Sequence, residues 1–125
     1  MRFVGSSSLG ALVAAALFMT LCMTGLPATA SSPSQEIQHL LDFIAASTCA
    51  FIRNGVAYDG AEAATHVKDK YEYYRNDIHS AEDFIARAAS RSELSGKPYL
   101  VRCGADTVPA ADWLARELTI FRRQP

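Results

Sequence analysis

No apolar run in this 125-residue chain reaches the roughly 20 residues that carry a helix across a bilayer, so no stable membrane anchor is expected. Basic groups do not exceed acidic ones, 12 Lys and Arg against 13 Asp and Glu, and only Arg122 and Arg123 are adjacent. That excludes the basic stripe of a nucleic-acid binder and the polybasic patch of a membrane-surface protein. The histidines His39, His66 and His79 are never paired at i, i+4, so the spacing of a zinc site is missing and no metal is expected. No G-x-S-x-G turn presents a nucleophile, and the lone Gly96 of Ser95-Gly96-Lys97-Pro98-Tyr99 makes a turn rather than a phosphate loop. No cofactor is expected. Cysteine is scarce, and no C-x-x-C pair lowers a thiol pKa for redox work.

What is present begins with residues 1–30, which read as a secretory signal peptide. Arg2 supplies the basic start, Leu9 to Met23 is an apolar run broken only by Gly10, Thr20 and Cys22, and Ala28-Thr29-Ala30 offers small residues for cleavage. Acylation at Cys22 is disfavoured because Leu21 stands where a lipoprotein site takes Gly, Ala or Ser. Cleavage after Ala30 leaves residues 31–125, one small domain with a modest core. It also leaves two of the three cysteines, Cys49 and Cys103, in an oxidising compartment where one intramolecular bridge is expected. A bridge closing about 55 residues stabilises by about 4 kcal/mol in the chain-entropy treatment.

Periodicity and caps predict four helices. Ser32, Pro33 and Gln35 form a capping box that opens a helix running to about Arg53, with Ile37, Leu40, Leu41, Ile44, Thr48, Phe51 and Ile52 on its buried stripe and Cys49 beside it. Asn54-Gly55 then reads as its C-cap. Asp59 caps a second helix to about Asn76, with Ala63, Val67, Lys70, Tyr71 and Tyr74 facing inward and Lys70 snorkelling. Ser80 to Asp83 opens a third helix ending near Ala89 or Ser90, and Pro109 starts a fourth, from about Ala110 to Arg122, with Trp113, Leu114, Leu118 and Phe121 on one side. Val56–Tyr58 and Tyr99–Cys103 alternate like short strands and are expected to pair. The expected fold is mainly α: a four-helix small domain with a minor two-stranded β element and one disulfide.

The densest chemical cluster is Arg53, Asn54 and Tyr58 followed by His66 and Lys70. His66 and Lys70 lie four apart on one helix face, so both can meet an anion if the turn at Gly55 brings Arg53 close. The competing account makes Asn54-Gly55 a simple cap and His66 a solvated flank residue. Glu117, near the stripe of the last helix, is expected to pair with Arg53 or Arg102 in a structural role. The tyrosines Tyr58, Tyr71, Tyr73, Tyr74 and Tyr99 suit core and rim packing.

Taken in order, Ile37 to Leu41, Ser47-Thr48-Cys49, Phe51 to Gly55, His66 to Tyr71, Ala81 to Ile85, Ser95-Gly96 with Tyr99, and Trp113-Leu114 resemble the YfeK-like family of small exported proteobacterial proteins, a domain of unknown function. The resemblance covers about residues 35 to 123. It implies a Gram-negative periplasmic setting and supplies no activity, substrate or cofactor. Cys49, Arg53, Asn54, Gly55, His66, Lys70, Ser95, Gly96 and Tyr99 match its pattern most visibly.

The reading that follows is a periplasmic, non-enzymatic interaction or ligand-binding module, with Arg53, Asn54, Tyr58, His66 and Lys70 as its site. Its partner would be a periplasmic protein or a small anionic ligand. The alternative is a small cell-envelope hydrolase using His66 or a carboxylate as base, which requires a concave pocket faced by a residue of shifted pKa. A purely structural or inhibitory protein would instead present an exposed apolar patch.

Overall fold

The computed structural model describes residues 29–125 together with 5, 10, 15–17, 19–21 and 25. Most of the expected signal peptide, including Arg2, Cys22 and Ala28, lies outside the described residues. Among those described, no helix is long and apolar enough to cross a membrane.

Helix α1, Pro33–Ala46, starts as its sequence dictates: Ser32 Oγ accepts the Gln35 N–H, and Gln35 Oε1 accepts the Ser32 N–H at 2.9 Å. It ends earlier than periodicity predicts. Ser47 turns to extended backbone, and its hydroxyl accepts the Cys49 N–H at 3.1 Å, which turns the chain out of the helix. The apolar residues Phe51 and Ile52 that seemed to prolong the stripe belong instead to strand β1, Ala50–Arg53. Asn54 and Gly55 are not a helix cap. Both carry positive φ, 50° and 79°, and they form the two-residue loop of a hairpin into β2, Val56–Tyr58, the primed turn that an Asn-Gly pair favours.

The expected mainly α fold with a two-stranded element is therefore corrected to four helices packed on a four-stranded antiparallel sheet. Its strand order is β2-β1-β3-β4, where β3 is Leu100–Cys103 and β4 is Asp106–Pro109. Val56–Tyr58 does not pair with the 99–103 segment as expected, because β1 lies between them and bonds to both. A second tight hairpin, Gly104-Ala105 with φ 63° at the glycine, joins β3 to β4. Pro109, expected only as the start of the last helix, is at once the last strand residue and the N-cap of that helix.

The register aligns Tyr58, Phe51, Val101 and Val108 across the sheet. Val101 is fully buried in this row, and Phe51 meets Trp113 edge-on at 5.4 Å, so this face is the one covered by helices. Alternation puts Arg53 and Tyr99 on the same face. The disulfide Cys49–Cys103, with Cα atoms 4.7 Å apart, ties the start of β1 to the end of β3 as expected.

Helix α2, Gly60–Tyr73, opens with the Asp59–Glu62 capping box and closes three residues sooner than expected, giving way to a 3-10 turn at Arg75–Asp77. Gly60 is pressed on the end of α1: a Cβ there would lie 2.4 Å from the Ile44 carbonyl oxygen and 2.7 Å from that of Ser47. Helix α3, Ala81–Ala88, is capped by Ser80, and α4 runs Ala110–Arg122. Ile37, Leu40 and Ile44 of α1, Val67 of α2, Phe84 and Ala88 of α3, and Leu114 and Leu118 of α4 share the main core.

Candidate functional site

Strand β1 ends with Arg53 pointing from the helix-covered face toward α2, because the sheet alternates with period two and Phe51 already faces that way. The guanidinium lands on His66, with Nη1 3.0 Å from both Nδ1 and Nε2. A nitrogen equidistant from both and in the ring plane would collide with the carbon between them, so Nη1 stands over the ring face. Nη2 donates to the Tyr58 hydroxyl at 3.3 Å across the hairpin.

Tyr99 joins this group to Lys70. Lys70 Nζ donates to the Tyr99 hydroxyl at 3.2 Å and to the Arg91 carbonyl at 2.8 Å, and the same hydroxyl lies 3.1 Å from His66 Nε2. Burial first, then the charges of Arg53 and Lys70, hold His66 below the ordinary imidazole range. A neutral ring accepts at Nε2, so the consistent assignment has Tyr99 donating there and accepting from Lys70. Burial raises the Tyr99 phenol, which keeps it protonated, and lowers Lys70 against the opposing pull of Glu93.

Two hollows flank this group. The inner one, about 190 Å³, is walled by Ile44, Phe51, Val67, Ala89, Ala110 and Leu114, with Glu62 and Tyr58 on its border. The outer one, about 340 Å³, is bordered by Asn54, Asp69, Lys70, Ser92 and Glu93. Arg53, His66 and Tyr99 line both, so they form the partition between an apolar chamber and a more polar one that Tyr73, Tyr74 and Leu94 also line.

The charges on this partition are unequal. Lys70 has the Glu93 carboxylate 3.7 Å away, whereas among the described residues no carboxylate lies within ion-pair distance of Arg53. Glu62 is near but is held by the Asp59 N–H at 3.1 Å. A half-buried guanidinium facing an imidazole and two phenols retains donors and a charge that an anion would satisfy.

Of the residues read from sequence, Arg53, Tyr58, His66 and Lys70 come together. The Arg53–His66 contact arises through a strand pairing rather than a helix cap. Asn54 borders the outer chamber but spends its amide on the 92–98 loop, donating to Ser92 Oγ at 3.1 Å and accepting from Ser95. Lys70 does not snorkel to water. Glu117 pairs with His39 at 2.8 Å instead of Arg53 or Arg102. Tyr99, the hub, was legible as a strand residue, as a packing tyrosine and as a match to the family pattern, but not as a member of the site, although its alternation with Val101 marks the face it shares. Among the described residues no cluster of three metal-ligating side chains occurs.

A sequence profile described as Family of unknown function (DUF5329) matches residues 31–122. A similar protein of Salmonella typhimurium, named Uncharacterized protein YfeK, is 47% identical over 49 residues, 39% of this chain and 41% of that protein. The aligned segment thus spans well under half of the curated relative it matches. No solved structure matches.

Proposed function

The chain belongs to the YfeK-like family of unknown function, DUF5329, and we propose that it is an exported periplasmic module that binds a small anion at Arg53, Tyr58, His66 and Lys70 rather than an enzyme. One observation carries this reading: a half-buried guanidinium with no carboxylate within ion-pair distance among the described residues, set in a partition between two chambers. Export is supported by the leader-like residues 1–30 and by a disulfide of the kind that persists in oxidising compartments.

Titration calorimetry of small carboxylates against the protein and its Arg53→Gln variant tests the binding. Losing a charge-assisted pair should weaken binding about 10- to 100-fold, the equivalent of about 1.5–3 kcal/mol. Absence of binding by every anion tried, or equal affinity in the variant, would refute it. Cell fractionation with N-terminal sequencing tests export, with Ser31 as the expected first residue.

The hydrolase reading draws on His66, which stays neutral at neutral pH and faces a hollow, as a general base must. Against it, the inner lining holds no serine, threonine or cysteine. Ser92 of the outer chamber accepts from Asn54 and from the Ser95 N–H, which gives it a turn-forming role.

A further inference from the structure

We infer that the ligand is a monocarboxylate with an apolar tail of about six carbons, its head on Arg53 and its tail in the inner chamber, an inference that rests on the anion-binding reading above and uses a cavity of about 150 Å³ that takes up benzene as its yardstick. The inner chamber, at about 190 Å³, is somewhat larger and is walled by Ile44, Phe51, Val67 and Leu114. Such walls give water few partners, so an apolar group occupies the space at less cost than solvent does. The polar groups of the chamber are gathered at the Arg53, His66 and Tyr99 partition and at the Tyr58 and Glu62 border. An occupant with one charged end and one greasy end is the shape that satisfies both parts.

The charge count selects a single negative charge. Of the two cations in this group, Arg53 has no carboxylate within ion-pair distance among the described residues, while Lys70 already faces Glu93. Glu62 borders the inner chamber and Asp69 and Glu93 the outer one, so on either side a dianion such as phosphate meets carboxylate charge while, among the described lining residues, Arg53 is the cation not already ion-paired. A carboxylate also matches the planar guanidinium fork, with the Tyr58 hydroxyl beside it as a further donor.

The test is a calorimetric series of straight-chain carboxylates, acetate through decanoate, with hexanol and inorganic phosphate as comparators, on the full chain in the processed form the cell yields. Affinity should rise about two- to fourfold per methylene from butanoate to about heptanoate, the gain for transferring a CH₂ from water, and level off once the chamber is full. Hexanol and phosphate should each bind at least about tenfold more weakly than hexanoate, the loss of one charge-assisted interaction. Ala63→Leu, which places a larger side chain on the chamber wall, should flatten the series.

A flat series with measurable acetate or phosphate binding would overturn the tail assignment and leave the anion site standing. Hexanol binding as tightly as hexanoate would overturn the head assignment. A slope that survives in folded Ala63→Leu would place the tail elsewhere and overturn the chamber assignment. No binding by any anion would overturn this inference and the site together. The series on the unmodified protein decides the matter even where the variant does not fold.

Discussion

Replacing Arg122 by Met isolates the strongest polar tie between the ends of three helices. From the last turn of α4, Arg122 Nε donates to Glu36 Oε2 at 2.7 Å and Nη2 to Glu36 Oε1 at 2.9 Å, while Nη1 meets Glu82 of α3. The Glu36 side chain is only 7% exposed, and its remaining partner is the Ser31 hydroxyl at 2.8 Å. Breaking a buried pair from one side typically costs about 3–5 kcal/mol because it strands the other charge. The Arg122 side chain is 43% exposed, so water partly screens this pair and replaces the lost donors; the expected loss is about 2–3 kcal/mol. For a domain of this size that is a fall in Tm of roughly 10–20 °C, measurable by calorimetry or urea titration.

The pH dependence distinguishes this cause from general loosening of the helix end. In the native protein the hydrogen bonds from Arg122 hold Glu36 below its ordinary range, against the upward push of burial. Its contribution is therefore fully present above the ordinary carboxylate value of about 4.3 and is lost as pH falls through the depressed folded value. In Arg122→Met burial outweighs the remaining Ser31 hydrogen bond and Glu36 titrates higher, so the variant loses stability as pH rises instead. The deficit should be largest at pH 7 and should shrink toward pH 4, and Glu36→Gln in the Arg122→Met background should recover most of it. A deficit below about 0.5 kcal/mol, or one equal at pH 4 and pH 7, would refute the reasoning.

Three further outcomes follow from other parts of the fold. Cys49→Ser with Cys103→Ser should lose about 4 kcal/mol by the chain-entropy treatment, read from urea midpoints against the oxidised protein; a loss below about 1 kcal/mol would deny the bridge its stabilising role. Gly60→Ala should cost at least about 2 kcal/mol, since the new Cβ meets backbone oxygens that cannot rotate away; a neutral result would mean that α1 and α2 separate freely. Because burial depresses His66, its contribution is present above the ordinary value of about 6.5 and is lost as pH falls through the folded value. Stability measured from pH 7.5 to 5 should therefore decline less in His66→Gln than in the native protein, and parallel curves would contradict the assignment.

The helices were legible because their evidence is local. Ser32 with Gln35, Asp59 with Glu62 and Ser80 with Asp83 satisfy backbone donors three residues away, and the stripe from Ile37 to Ile44 repeats at helical spacing. The segment from Ser47 to Gly55 was not legible in the same way. Phe51 and Ile52 fit the continuing helical stripe as well as a strand, and Asn-Gly serves a helix end or a primed hairpin turn equally. The choice came from β3, some 50 residues later, which supplies Leu100, Val101 and Arg102 as partners for Ile52, Phe51 and Ala50.

The site divides along the same line. Spacing alone put His66 and Lys70 on one face of a helix, but the approach of Arg53 depends on β1 being a strand, and Tyr99 reaches His66 across 33 residues of sequence. Glu117 shows the converse: its helix face was readable, yet its partner His39 lies 78 residues away on α1. By itself the sequence determined the helix N-caps, the apolar faces of the helices and the family. The sheet, the partition at Arg53, His66 and Tyr99, and the chambers on either side were decided only by the tertiary structure. Caps and stripes depend on neighbours three or four residues apart, whereas strand pairing and the setting of a half-buried guanidinium depend on what the rest of the chain brings close.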